Sequence, residues 1–200
     1  MELKQADYHF LSYLGSGAYS DVFCALDPFG NRVAVKQFAD HEPIRTLDRE
    51  YECLIRLNHP NIVQVIDYFR EDRTLVMEYI PGITPEDDTR YEPFPWILDI
   101  AEAIAYSHSM RIAHRDILAC NVRITPKNRG VVIDYGCGTR RPTEQDRLFD
   151  MEGIGDLILA NCLLDNDLRS IGKAATYKDG ITAKEVVRRL REVFGCQPVT

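Results

Sequence analysis

Two short polar clusters, each beside an apolar run, dominate the chain between Met110 and Gly138. The first reads Ile112-Ala113-His114-Arg115-Asp116-Ile117-Leu118-Ala119-Cys120-Asn121, and the second Val131-Val132-Ile133-Asp134-Tyr135-Gly136. An Asp with an Asn five positions on, then another Asp at the end of a β-branched strand, is a set of hard oxygen donors. Magnesium-dependent phosphoryl transfer needs such a set. One carboxylate takes the proton of the acceptor hydroxyl, while an amide oxygen and a second carboxylate hold the metal on the phosphates.

Ahead of these clusters, residues 8–14 are strand-like and run into Gly15-Ser16-Gly17-Ala18-Tyr19-Ser20-Asp21-Val22, whose glycines permit a tight hairpin. Taken alone, Gly-Ser-Gly is an ordinary turn. A second turn at residues 27–31 leads to Arg32-Val33-Ala34-Val35-Lys36-Gln37, which alternates as a strand does. Residues 47–57 carry Leu47, Tyr51, Leu54 and Ile55 near helical spacing, include Glu50 and Glu52, and stop at Asn58-His59-Pro60. Residues 62–67 and 74–79 read as strands joined by a polar turn, and Pro81-Gly82-Ile83-Thr84-Pro85 breaks the pattern. Over residues 95–110, Ile97, Ile100, Ala101, Ile104, Ala105 and His108 share one face, a core helix with His108 packed or half exposed.

A helix over residues 150–159 follows the second cluster, and residues 161–180 are polar and irregular around a short helix at 168–175. Thr182-Ala183-Lys184-Glu185 is a capping box opening a last helix over residues 183–194, with Gly195 as its stop. Lys184, Arg188, Arg189 and Arg191 give that helix a basic face.

Two hundred residues fit one compact domain, or two intimately packed lobes, better than two independent domains. The net charge of -7 argues against nucleic acid as a main partner, since affinity for a polyanion needs a basic surface. The first ten residues carry charges and a His where a signal peptide needs an unbroken apolar core, and no later run is long enough to span a bilayer. The expectation is a cytoplasmic chain without membrane insertion. Its six cysteines lack zinc-type spacing and read as free thiols, with Cys120 and Cys137 flanking the polar clusters.

His114-Arg115-Asp116 with Asn121, then Asp134-Tyr135-Gly136, resembles the catalytic loop and metal-binding turn of eukaryotic-type protein kinases, the second usually written Asp-Phe-Gly. Residues 15–23 resemble the Gly-rich loop of that family, with Ser20 at its third glycine, and Val33-Ala34-Val35-Lys36 its third strand. Residues 49–63 look like its helix C and the following turn; aligning on His59-Pro60-Asn61-Ile62 makes Glu50, rather than Glu52, the partner of Lys36. The connection from Lys36 looks short, so this helix is expected to be clipped at its start. The resemblance implies an α+β, two-lobe fold: a small antiparallel β-sheet lobe with helix C over residues 1–80, and a shortened, mainly helical lobe over residues 81–200 of one domain.

By that resemblance Asp116 is the catalytic base, Lys36 held by Glu50 anchors the phosphates, and Asn121 and Asp134 are the Mg2+ ligands. ATP would lie against Gly15, Ser16, Gly17, Ser20, Val22, Ala34, Lys36 and Asn121, with Met77 behind the adenine and the backbone of Glu78 and Ile80 at its edge. His114 would organise backbone, Arg115 would receive an activation-loop phosphate in regulated members, and Asp150 would brace the catalytic loop.

Three departures stand out. Leu118 lies where serine/threonine kinases carry a Lys that steadies the transferred phosphate, and Arg123 where an apolar residue packs under the adenine. Only residues 137–147 separate Asp-Tyr-Gly from the next helix, without Ala-Pro-Glu. The implied function is ATP- and Mg2+-dependent phosphorylation of a protein hydroxyl, serine or threonine, without activation-loop control or under an activating protein partner. Two alternatives stay open: a small-molecule kinase, and a pseudokinase used as a binding module. Trimmed kinases of this kind occur among bacterial effectors and viral proteins, which would place the chain in a host cytoplasm. Oligomeric state leaves no signature in the residues.

Overall fold

Alternation along β3 (Arg32–Phe38) sends Val33 and Val35 to one face of a sheet and Ala34 and Lys36 to the other. In the computed structural model, which describes residues 4–87, 95–162, 165–176 and 180–196, this strand lies at the centre of a five-stranded antiparallel sheet. Its companions are β1 (His9–Ser16), β2 (Ser20–Leu26), β4 (Val65–Phe69) and β5 (Thr74–Glu78), in the order β1-β2-β3-β5-β4. Tyr8, Ala25, Val33, Val35 and Val76 form a small core on one face. Leu75 and Met77 belong instead to the main core, together with Leu47 and Leu54 of α1 (Ile44–Leu54).

Helix α1 starts and ends three residues earlier than its periodicity suggests. Pro43 caps it, and a residue without an N–H costs nothing at a helix start, where the donors have no partner in any case. Residues 55–57 tighten into a turn through Leu57 N–H to the Leu54 carbonyl, and Ile55 ends as exposed surface. Ile62 also leaves its expected strand. It bridges Val132 while Val63 donates to the Val132 carbonyl at 2.9 Å, which stitches the sheet lobe to the helical one.

The second lobe comprises α2 (Trp96–Ser109), the two-stranded ribbon β6 (Val122–Ile124) and β7 (Gly130–Val132), α3 (Glu144–Asn161), α4 (Asn166–Thr176) and α5 (Ala183–Val193). Trp96, Ile97, Ile100, Ala101, Ile104 and Ser107 are all buried, so α2 forms the spine of the main core. Helix α3 starts six residues before 150, because Thr143 accepts from Asp146 N–H while the Asp146 carboxylate takes the Thr143 N–H. Within the stretch expected to be irregular, residues 163–164 and 177–179 lie outside the described residues.

Thr182 caps α5 as expected, but Glu185 does not reach back: its carboxylate binds Arg188 and Arg189. Arg188 also meets Glu192, and Arg191 meets Glu102, so the expected basic face is largely neutralised. Among the described residues no helix is long and apolar enough to cross a membrane.

Candidate active site

Lys36, directed inward from β3, is 2.7 and 2.8 Å from the two carboxylate oxygens of Glu50 on α1 and 2.9 Å from Asp134 Oδ2, just after β7. Glu50 is fully buried and Lys36 nearly so. Three elements far apart in sequence thus meet at one ammonium. Gly136 makes room: a Cβ there would stand 3.0 Å from Asp134 Oδ1 and 3.5 Å from Glu50 Oε2. Its N–H instead donates to Asp134 Oδ1 at 2.7 Å.

Burial pulls the Lys36 pKa down, but Glu50 and Asp134 outweigh it and hold the amine above its ordinary range. Burial raises the Glu50 carboxyl against the pull of Lys36, whereas at Asp134 the attraction of Lys36 exceeds the burial effect and lowers the pKa. Lys36 thus stays protonated between an ionised Asp134 and a Glu50 whose carboxyl burial pushes up to about 7.

Asp116 and Asn121 are joined within the loop ahead of β6. Asn121 Nδ2 donates to the Asp116 carbonyl at 2.9 Å and to Asp116 Oδ2 at 3.0 Å. Beneath them His114, fully buried, accepts the Asp116 N–H at Nδ1 (3.2 Å), which places the proton of the neutral ring on Nε2. Burial holds this ring below the usual histidine range. Asp150 of α3, also fully buried, takes the N–H groups of His114 (2.9 Å) and Arg115 (2.5 Å) and the ring of His108 (2.8 Å). His108, half buried as expected, is also a partner of the brace. The Asp134-Tyr135-Gly136 turn is locked in the same way: the buried Tyr135 hydroxyl meets Ser107 of α2 at 2.6 Å, and its ring tilts against His114.

These groups face a cleft of about 630 Å³ between the lobes, and every residue assigned above to catalysis, ATP or Mg2+ lines it, Gly15 through Asp134. The Gly-rich hairpin is closed by Gly17 N–H to the Ser20 carbonyl at 2.8 Å and tied to the end of β3 by Ala39 N–H to the Tyr19 carbonyl. Glu78 has its N–H committed to the Gln64 carbonyl, so at that position only a backbone carbonyl is left for a ligand. Thr84, Asp87 and Ile133 also line the cleft. Of these, Ile133 alone carried a signal, as the strand residue before Asp134. Among the described residues the only cationic side chains lining the cleft are Lys36 and Arg123. Leu118 is exposed. Burial, then Asp116, lifts the thiols of Cys120 and Cys137 above the usual cysteine range, which disfavours their reactive thiolates.

The segment between Gly136 and α3 is pinned along its length. Thr139 bridges Ala113, and Arg140 meets Glu52 of α1 at 2.5 Å. A Cβ on Gly138 would be 3.1 Å from Cys53 Sγ. Arg115, at φ +70°, reaches Asp146 at 3.1 Å. Glu50 and Glu52 thus face opposite neighbours, one the cleft lysine and the other this segment.

The oxygen donors suit a magnesium ion. Asn121 spends its amide nitrogen on Asp116, which leaves Oδ1 as an acceptor, and the Asp134 carboxylate stands on the same cleft. A small hard cation takes one or two protein oxygens and completes its shell with phosphate and water.

Comparison with known proteins agrees with this geometry. The sequence profile described as "Protein kinase domain" matches residues 8–153. The chain is 33% identical over 163 residues to mitogen-activated protein kinase kinase kinase 19 of Mus musculus, which covers 70% of this chain and 12% of that protein. Against serine/threonine-protein kinase PrkC of Bacillus subtilis it is 34% identical over 147 residues, 66% of this chain and 23% of that one. Aurora/IPL1-related protein kinase 2 of Caenorhabditis elegans is 28% identical over 154 residues, 70% of this chain and 50% of its own length. The chain therefore spans only a part of each of these relatives.

Proposed function

This chain belongs to the protein kinase family, and on that premise we propose that it transfers the γ-phosphate of ATP to a serine or threonine hydroxyl of a protein. The observation that carries the reading is the Lys36 ammonium held jointly by Glu50 and Asp134 across one cleft from the Asp116–Asn121 pair. Lys36 supplies a fixed positive charge to the phosphates, oriented rather than free because two carboxylates share it. Asp116 receives the proton of the acceptor hydroxyl on its carboxylate, kept in place by Asn121 Nδ2 and by its own N–H on His114. Asn121 and Asp134 would hold magnesium, which when bound neutralises charge on the phosphate oxygens.

The serine/threonine assignment rests on the relatives named above. Activity without loop phosphorylation is supported by the pinned segment. Arg140 on Glu52 and Gly138 against Cys53 hold α1 in the position that presents Glu50, and Arg115 already has a carboxylate partner in Asp146. A protein substrate needs no cationic surface here, and none of the reading involves nucleic acid.

Intact mass and phosphosite mapping after incubation with ATP, magnesium and a generic protein substrate test this, comparing wild type with Asp116→Asn. Phosphate gained on Ser or Thr by wild type, and lost in the variant that keeps the shape but not the base, is the expected result. Nucleotide binding with no transfer in either would overturn it in favour of a binding module. Transfer only to small-molecule hydroxyls would overturn the protein as acceptor.

A further inference from the structure

The Lys36 ammonium has one further neighbour, and it is not a carboxylate. Its three N–H groups are all committed, two to the oxygens of Glu50 and one to Asp134. Over the same nitrogen lies the ring of Phe38, its centroid 5.4 Å away. Two positions on from Lys36 along β3, Phe38 returns to the face of the sheet that looks into the cleft. It is only 6% exposed, and its strand end is tied on both sides: it pairs with Ser20 of β2, and its N–H donates to the Arg73 carbonyl at 2.9 Å. Core packing explains an apolar side chain here, because Phe38 belongs to the main core with Leu47 of α1. It does not explain an aromatic face set over a buried charge.

We propose that Phe38 is a positioning residue for phosphotransfer, whose ring holds the Lys36 ammonium in place by a cation–π contact. This rests on the reading of Lys36 as the phosphate anchor and deepens it. The face of an aromatic ring is negative, so it attracts the ammonium without taking any of its N–H groups. The carboxylates do take them. A phosphate oxygen that comes to Lys36 has to draw an N–H away from a carboxylate, since none is spare. The hold of the ring is untouched by that exchange, and it keeps the ammonium at one point of the cleft while its hydrogen-bond partners change. Burial favours the contact, because a desolvated cation gains more from a ring than a hydrated one does.

Two experiments test this, one of them without nucleotide. In the first, Phe38→Leu and Lys36→Met are made singly and together and unfolded in urea. Leu keeps an apolar side chain without the ring, and Met keeps most of the stem without the charge. A ring that attracts the ammonium makes Phe38→Leu lower the folding constant more beside Lys36 than beside Met, by a further factor of roughly 2 to 30, the range for a cation over an aromatic face. Equal losses in both backgrounds would overturn the inference and leave Phe38 as packing. In the second, singly and multiply fluorinated phenylalanines are incorporated at position 38, which drain the negative face and nearly preserve the shape. The kcat/KM for ATP should fall stepwise with each added fluorine, within the same roughly 2- to 30-fold range. A rate indifferent to fluorination would overturn the positioning role even where the stability cycle shows the contact. Absence of phosphotransfer by wild type is a different result: it removes the kinase reading, and the urea cycle, which involves no ATP, still decides whether ring and ammonium are coupled.

Discussion

Glu50 and Asp150 are both carboxylates near the middle of a helix, both fully buried, and they are compensated in opposite ways. Glu50 faces chiefly a side-chain cation, the Lys36 ammonium, which it shares with Asp134, and beside it one backbone group, that of Tyr135. Asp150 faces three donors, two of them backbone N–H groups of the loop that carries Asp116, the third the His108 ring. A side-chain cation can be withdrawn by moving a helix, whereas backbone dipoles can be withdrawn only by unfolding the loop. The first arrangement is fit to be adjusted, and the second to be permanent. The difference separates what this fold positions from what it is built on.

Removing Asp150 should have the largest effect. Asp150→Ala leaves buried donors from His114, Arg115 and His108 without an acceptor, and should cost about 3–5 kcal/mol, read as a lower urea midpoint. If it costs no more than Glu50→Gln, the contrast fails. Glu50→Gln keeps the volume and leaves Asp134 on Lys36, so the fold should persist while phosphotransfer falls on the order of 10²-fold through misplacement of the ammonium. Single-turnover rates at saturating ATP measure this.

A smaller test sharpens the permanent side of the comparison. Ser107→Ala should lose about 1–3 kcal/mol because the buried Tyr135 hydroxyl then has no partner. Adding Tyr135→Phe to it should restore most of that, since removing both polar groups removes the penalty. A double variant as unstable as the single one would show that the pair acts through packing.

The smallest effect is one of pH. At Asp134 burial raises the carboxyl pKa, but Lys36 lowers it more, so the folded value lies below the ordinary 3.8. The ionised form then contributes stability that is complete above about 3.8 and lost as the pH falls through the lower folded value. Wild type should therefore lose urea resistance below pH 4 more steeply than Asp134→Asn. Parallel curves would show that the Lys36 contact is not felt in the folded state.

The adjustable side of the molecule was the easier to read from residues. Lys36, Asp116, Asn121 and Asp134 each sit in a short local pattern, and Glu50 was told from Glu52 by aligning on His59-Pro60-Asn61-Ile62; two positions along a helix point almost opposite ways, so only one of them could meet Lys36. The permanent side was harder. His108 and Asp150 are 42 positions apart, and Tyr135 and Ser107 are 28 apart, so nothing local marks either pair. The Thr143–Asp146 cap is written locally, but the apolar run of this helix starts later, so periodicity alone leaves Asp146 in the loop. Ile62 looked like strand and is strand-like, but its partner lies in the other lobe, a matter of topology that alternation alone does not encode.

The pinned segment after Gly136 has a consequence for how such a chain could acquire or lose control. Its two ends are fixed independently, by the Thr139 bridge to Ala113 and by the Thr143–Asp146 cap, and Arg141 and Pro142 lie between them. Added length there would be extruded from a fixed base, at a closure cost that grows by only about 0.6 kcal/mol for each doubling of the loop. The site is thus a graft point at which a lineage can insert a regulatory segment without disturbing catalytic geometry. Such a graft would reach the helix bearing Glu50 by competing with Arg140 for Glu52.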